Sequence, residues 1–218
     1  PASLTKIVTA MVTLENVKDL SVKAKMSQTA FDASAGTGAQ VAGINVGEEL
    51  SVDTLLYLTM VHSACDACEV LAEFVGGTKD NFVKMMNDWV KKVGCTDTNF
   101  TNPSGLHDDN HYTTARDMSK ITLEALKNAD FVITNSFHGT VFSIMYHRKF
   151  AVIPKKGGNN TRVDTLLSQY GLQKHIAKKL PMIIAAYNDI VDWNLVDDIN
   201  QKKKKETVAL LKKVIGEE

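Results

Sequence analysis

Ser3 and Lys6, in Pro1-Ala2-Ser3-Leu4-Thr5-Lys6, open the chain with a spacing that supports acyl-transfer chemistry. Positions i and i+3 are neighbours on a helix surface, so a helix starting here would hold the Lys6 amine against the Ser3 hydroxyl. Both groups would sit near the positive end of the helix dipole. A serine hydroxyl is a weak nucleophile until a base removes its proton, and a lysine withdrawn from water can be that base. The same spacing also fits an ordinary exposed helix start.

Cys65 and Cys68 form a C-x-x-C, and with Cys95 they are the three cysteines of the chain. Three are too few for a disulfide framework or a four-cysteine zinc site. The pair runs into the apolar residues Val70, Leu71 and Phe74, so Cys68 is expected to be a buried thiol without redox work. A third group is Ser136, His138 and Gly139, at a turn between a short strand and a helix. Backbone N–H groups at a helix start, with an imidazole beside them, suit a phosphate or carboxylate. From the residues alone, a helix cap with a satisfied histidine is the reading to be preferred. The other histidines, His62, His107, His111, His147 and His175, show no metal-ligand spacing and are expected in loops or on the surface. No metal or cofactor is expected.

The elements that must position these groups follow from periodicity and turn signals. Ile7, Val8, Met11, Val12 and Leu14 predict an apolar, central helix ending near Asn16. Val17 to Gly47 is rich in Gly, Ser and Ala and reads as loop with short extended pieces such as Gln40 to Ile44. Ser51 caps a helix carrying Leu55, Leu56 and Leu58 that stops at His62-Ser63, and a second helix follows to Gly76-Gly77. Thr78 caps a third, with Phe82, Met86 and Trp89 on one side. Cys95 to Tyr112 is irregular, and another amphipathic helix starts after Thr113-Thr114. At Asn128-Ala129 the pattern changes: Phe131 to Thr134 reads as a strand, Asn135 to Gly139 as a turn, Thr140 to His147 as a helix and Arg148 to Pro154 as a strand, together a parallel crossover unit. A glycine loop at 157–160, a helix near Arg162 to Tyr170, an apolar stretch at Pro181 to Tyr187 and a closing helix around Thr207 to Ile215 complete the chain.

The 218 residues, 44% apolar and 23% charged, have ordinary globular composition with zero formal net charge. The one basic cluster, Lys202 to Lys205, reads as a solvated helix start, so nucleic acid is not an expected partner. No apolar run is long enough to span a bilayer. The chain opens inside the Ser3 motif with neither initiator methionine nor signal peptide, which leads us to expect a fragment of a longer protein.

Residues 1–128 resemble the serine D-alanyl-D-alanine carboxypeptidases, the low-molecular-mass penicillin-binding proteins. The likeness is carried by Pro1 to Lys6, Leu55-Leu56-Tyr57, Ser63 to Ala67, Met86-Asn87, Asn102-Pro103-Ser104-Gly105-Leu106 and His111 to Asp117. It implies Ser3 as nucleophile toward a peptidoglycan stem peptide, Lys6 as base and Ser63 as proton relay, with β-lactams able to trap Ser3. Two departures from the family pattern stand out. Cys65 occupies the substrate-binding position where asparagine is usual. No K-[ST]-G occurs anywhere, and Lys155-Lys156-Gly157 reads as a chance likeness, so the strand that supplies the second oxyanion donor in the family is missing.

Residues 129–218 resemble the C-terminal part of the polysaccharide pyruvyl transferases, through Ala129 to Thr134, Ser136 to Ile144, Arg162, Leu166-Leu167 and Tyr170-Gly171-Leu172. That resemblance implies a phosphoenolpyruvate site at Ser136, His138, Gly139 and Arg162. The expected architecture is mixed, helix-rich α/β: the helical part of a penicillin-binding fold followed by a small strand-helix-strand unit. The first resemblance implies an extracytoplasmic enzyme and the second a cytoplasmic one. A fusion of two truncated proteins, with its seam near Asn128-Ala129 and neither activity intact, is therefore a further expectation.

Overall fold

The computed structural model describes residues 1–154 and 160–215, so Lys155-Lys156-Gly157 and the glycine loop up to position 159 lie outside the described residues. The chain divides into two compact units, Pro1–Ala125 and Leu126–Glu218.

In the first unit a 3-10 turn, Ala2–Leu4, leads directly into α1, Thr5–Asn16. The stretch expected to be mostly loop holds β1, Lys23–Lys25, and a further helix, α2, Gln28–Ser34. Ser27 starts α2 by accepting the Ala30 N–H on its side chain, a cap that offsets the weak periodicity of Gln28 to Ser34. Gln40 to Ile44 is not a strand, because the N–H groups of Ala42, Gly43 and Ile44 all donate to the Asp66 carboxylate instead of to a neighbouring strand. The ribbon partner of β1 is β2, Glu49–Ser51, which pairs with it antiparallel.

Four more helices complete the unit: α3, Val52–Val61; α4, Cys65–Gly76; α5, Lys79–Lys92; and α6, Ala115–Lys127. Ser51 and Thr78 cap α3 and α5 through their side chains, as the cap signals predict. The central role expected of α1 is shared with α4, in which every residue from Cys65 to Ala72 is buried. Such burial on all sides follows from the small and apolar residues around most of the α4 surface. One core, with Val8, Val12, Phe82, Met86, Phe100 and Ile121, lies among α1, α5 and α6. A second, with Met26, Ile44, Val52, Leu55, Ala67 and Leu71, joins the ribbon to α3 and α4. Gly76 allows α5 to follow α4 at once, since a Cβ there would lie 2.7 Å from the Phe82 nitrogen.

The second unit is built on the expected crossover. β3, Phe131–Thr134, pairs in parallel with β4, Lys149–Val152, and α7, Phe137–Met145, connects them. Helix α7 starts earlier than expected, because Ser136 accepts the Gly139 N–H and so turns Phe137 to Gly139 into the first helical turn. Gly139 is required by packing: a Cβ there would lie 2.5 Å from Thr134 Oγ1. α8, Thr161–Gln169, and α9, Leu180–Asn188, follow.

The last helix, α10, runs Trp193–Ile215, so Lys202 to Lys205 lie in its middle and do not start it. Its start is fixed by Asp192, whose carboxylate accepts the Leu195 N–H, and by buried Val196. None of the described helices is long and apolar enough to cross a membrane.

Candidate active site

The 3-10 turn Ala2–Leu4 and the first turn of α1 bring the expected pair together. Lys6 Nζ donates to Ser3 Oγ at 3.3 Å. Ser3 is exposed while Lys6 is only 3% exposed, so the hydroxyl faces solvent and the amine that touches it is buried. Ser63, sixty positions further on, donates from its Oγ to Ser3 Oγ at 2.9 Å. It can reach because it occupies the sharp junction between α3 and α4 in a left-handed conformation, φ 58°. Ala2, just before Ser3, is also left-handed at φ 49°. Non-glycine residues in this region cost about 1–3 kcal/mol each and collect where a site demands them. Here Ala2 precedes one of the two hydroxyls that meet and Ser63 carries the other.

The junction bearing Ser63 is pinned from behind. Cys65 N donates to Gln40 O at 2.8 Å. Buried Asp66 accepts from the backbone N–H groups of Ala42, Gly43, Ile44 and Ala67. The Cys65 contact is backbone to backbone, so it holds the loop at Gln40 whatever the Cys65 side chain does. The Cys65 thiol itself lies 3.6 Å from Lys6 Nζ. Cys68, one helical turn on, is fully buried and donates to the Ala64 carbonyl; burial pushes its thiol up to about 12. Both cysteines are free, as the apolar context predicts for Cys68.

Residues to which sequence reasoning gave no role in the site complete the surroundings of Lys6. Its shortest bond is to a backbone carbonyl, Ser104 O, at 2.6 Å. The Asn102 side chain shapes the turn that presents this carbonyl: Oδ1 accepts from the N–H groups of Ser104, Gly105 and Leu106, and Nδ2 donates to Leu106 O. Asn-Pro at a turn is a legible signal, but no side-chain pattern announces a carbonyl as the partner of a lysine. His111, expected in a loop or at the surface, is buried because its ring closes the same assembly. Its Nδ1 accepts the Thr101 N–H at 3.1 Å, which leaves Nε2 to carry the proton toward Thr5 Oγ1 at 2.8 Å. Burial lowers the His111 pKa to about 4, which favours this neutral ring.

In the second unit, Ser136 caps α7, and the Arg162 guanidinium lies 4.3 Å from the centre of the Phe137 ring, beside that cap. His138 is exposed, with its ring edge-on to Phe137. His175 corrects the surface expectation: it is fully buried, with Nδ1 at 2.8 Å from Phe150 O and Nε2 at 3.0 Å from Asp189. Among the described residues, no three His, Cys, Asp or Glu side chains cluster as a metal site would.

A hydroxyl on the 3-10 turn before a buried helix, an amine beneath it and a second hydroxyl from a helix junction are the groups that serine acyl-transfer chemistry requires. Solved structures that share the fold of the first unit include a carboxypeptidase and a transpeptidase. A carboxypeptidase from Francisella tularensis, DacD, matches with TM-score 0.54 and 35% identity over 59% of this chain and 31% of its own. A Streptomyces DD-transpeptidase matches with TM-score 0.54 and 32% identity over 58% of this chain and 51% of its own. Among curated proteins, the D-alanyl-D-alanine carboxypeptidase DacF of Bacillus subtilis is 35% identical over 127 residues, 58% of this chain and 33% of the relative. The family Peptidase_S11, D-alanyl-D-alanine carboxypeptidase, matches residues 1–157. The chain belongs to that family, and it spans about a third of the length of DacF.

Proposed function

We propose that the first unit carries the acyl-transfer centre of a serine D-alanyl-D-alanine carboxypeptidase that acts outside the cytoplasmic membrane on peptidoglycan stem peptides. The convergence of Lys6 Nζ and Ser63 Oγ on Ser3 Oγ supports this reading most directly. Ser3 Oγ attacks the carbonyl carbon of the penultimate D-alanine while Lys6 takes the hydroxyl proton. The tetrahedral oxyanion is met by the Ser3 N–H, close to the helix start. The C–N bond then breaks as the proton held by Lys6 is relayed through the Ser63 hydroxyl to the departing amine of the terminal D-alanine, and an ester on Ser3 remains. Water attacks the ester and returns the free hydroxyl. Cys65 lies beside Lys6, where its thiol would line the substrate side of the amine.

Release of free D-alanine from a stem-peptide mimic ending in D-Ala-D-Ala, compared between the full chain and Ser3→Ala, tests turnover. Release that depends on Ser3 supports the reading, and equal release from both proteins removes it.

For the second unit we propose an anion site of the pyruvyl-transfer type, in which Ser136, His138, Gly139 and Arg162 receive phosphoenolpyruvate. The position of Arg162 over Phe137, next to the α7 cap, is the observation that favours it. Phosphoenolpyruvate titrated into labelled protein should shift the His138 and Gly139 resonances, and unchanged spectra would count against the site. Cooperative unfolding with neither D-alanine release nor phosphoenolpyruvate binding is the result expected of an inactive fusion.

A further inference from the structure

We infer that Asn102 is a positioning residue for Lys6, acting through the Ser104 carbonyl. The inference rests on the reading of Lys6 as the base and adds a residue that touches neither Ser3 nor the amine. Asn102 is 7% exposed, and its amide is satisfied on both sides. Oδ1 gathers the N–H groups of Ser104, Gly105 and Leu106 at 3.2, 2.7 and 3.1 Å, while Nδ2 donates to Leu106 O at 2.9 Å. Three donors facing one atom fix which end of the amide is oxygen, since the NH2 group can accept from none of them.

The consequence reaches Lys6 by geometry. With the three N–H groups turned inward onto Oδ1, the Ser104 carbonyl points the other way and accepts from Lys6 Nζ at 2.6 Å. The neighbouring Pro103 carbonyl accepts from Thr9 Oγ1 at 2.6 Å, one helical turn further along α1. Two consecutive carbonyls are thus laid along one face of α1, and the lysine side chain is held in the rotamer that also meets Ser3. A lysine amine on four rotatable carbons has no such preference of its own. Without Asn102, the three N–H groups would seek other partners, the turn would relax, and the amine would lose its fixed acceptor.

Competitive acetylation with acetic anhydride, read on the Lys6 peptide by mass spectrometry and normalised to exposed Lys84, reports the amine without requiring enzymatic activity. Asn102→Ala should raise Lys6 labelling at least about fivefold and slow Ser3 acylation by a fluorescent penicillin about tenfold to a hundredfold, with a displaced pH profile, as loss of a few hydrogen bonds implies. Asn102→Asp keeps an oxygen for all three donors but loses the Nδ2 bond to Leu106 O, so it should restore part of both values, between Asn102→Ala and the unmodified chain. Cys68 alkylation, which requires unfolding, should stay at the wild-type rate in both variants. Unchanged Lys6 labelling in Asn102→Ala, no rescue by Asn102→Asp, or a parallel rise at Cys68 would each overturn the inference. Absence of penicillin labelling in the unmodified chain would instead remove the acyl-transfer reading, and the Lys6 labelling would still decide the role of Asn102.

Discussion

Gly105 lies so close to the carbonyl oxygen of Ala2 that a Cβ at position 105 would overlap it. The residue before Ser3 and the turn that holds Lys6 are therefore packed backbone against backbone. Gly105 also has φ +85°, a conformation that side chains disfavour. Gly105→Ala should lower stability by more than about 1 kcal/mol. It should also lower Ser3 acylation further than the loss of folded protein explains, because Ala2 must move. Thermal unfolding combined with β-lactam labelling checks this, and labelling that tracks the folded fraction would oppose it.

Lys6 and Ser63 should each matter to acylation by the amount typical of proton transfer. Lys6→Ala and Ser63→Ala are expected to slow β-lactam acylation by about 10²–10⁴-fold. Lys6→Ala should also cost about 1–3 kcal/mol of stability, since it leaves the buried Ser104 carbonyl without its partner. Stopped-flow acylation and denaturant unfolding separate the two effects.

His111 makes stability depend on pH. Its folded pKa, lowered by burial to about 4, lies below the ordinary value of 6.5. The unfolded chain therefore binds a proton more readily than the folded one, and the contribution is complete above pH 6.5 and lost as pH falls toward 4. The full difference corresponds to about 3 kcal/mol. Unfolding free energies measured from about pH 7 to pH 4 should fall by about that much more in the unmodified protein than in His111→Gln.

The thiol of Cys68, fully buried and pushed up to about 12, should resist iodoacetamide at mildly alkaline pH in folded protein and react once urea unfolds it. Fast alkylation of native Cys68 would contradict its place in the core.

The helices of the first unit were legible because their signals are local. Ser51 and Thr78 cap where they should, and Phe82, Met86 and Trp89 share one buried side. Helix α2 escaped because its residues carry no apolar period, and only the Ser27 cap marked its start. The early start of α10 escaped for a related reason: Asp192 and Val196 fix it, while the apolar residues that suggested a helix lie much further along. At the site, Ser3 and Lys6 were readable from their spacing, and Ser63 from a resemblance. The Ser104 carbonyl was not readable, because a backbone oxygen has no letter in the sequence. Burial of His111 and His175 depends on partners distant in the chain, Thr5 for one and Asp189 with Phe150 for the other.

Incubation of the full chain with a fluorescent penicillin, followed by digestion and mass spectrometry, tests the acyl-transfer centre most directly. A covalent adduct confined to the peptide bearing Ser3, and lost in Ser3→Ala, is the expected result. An unlabelled Ser3 in protein shown to be folded would contradict it.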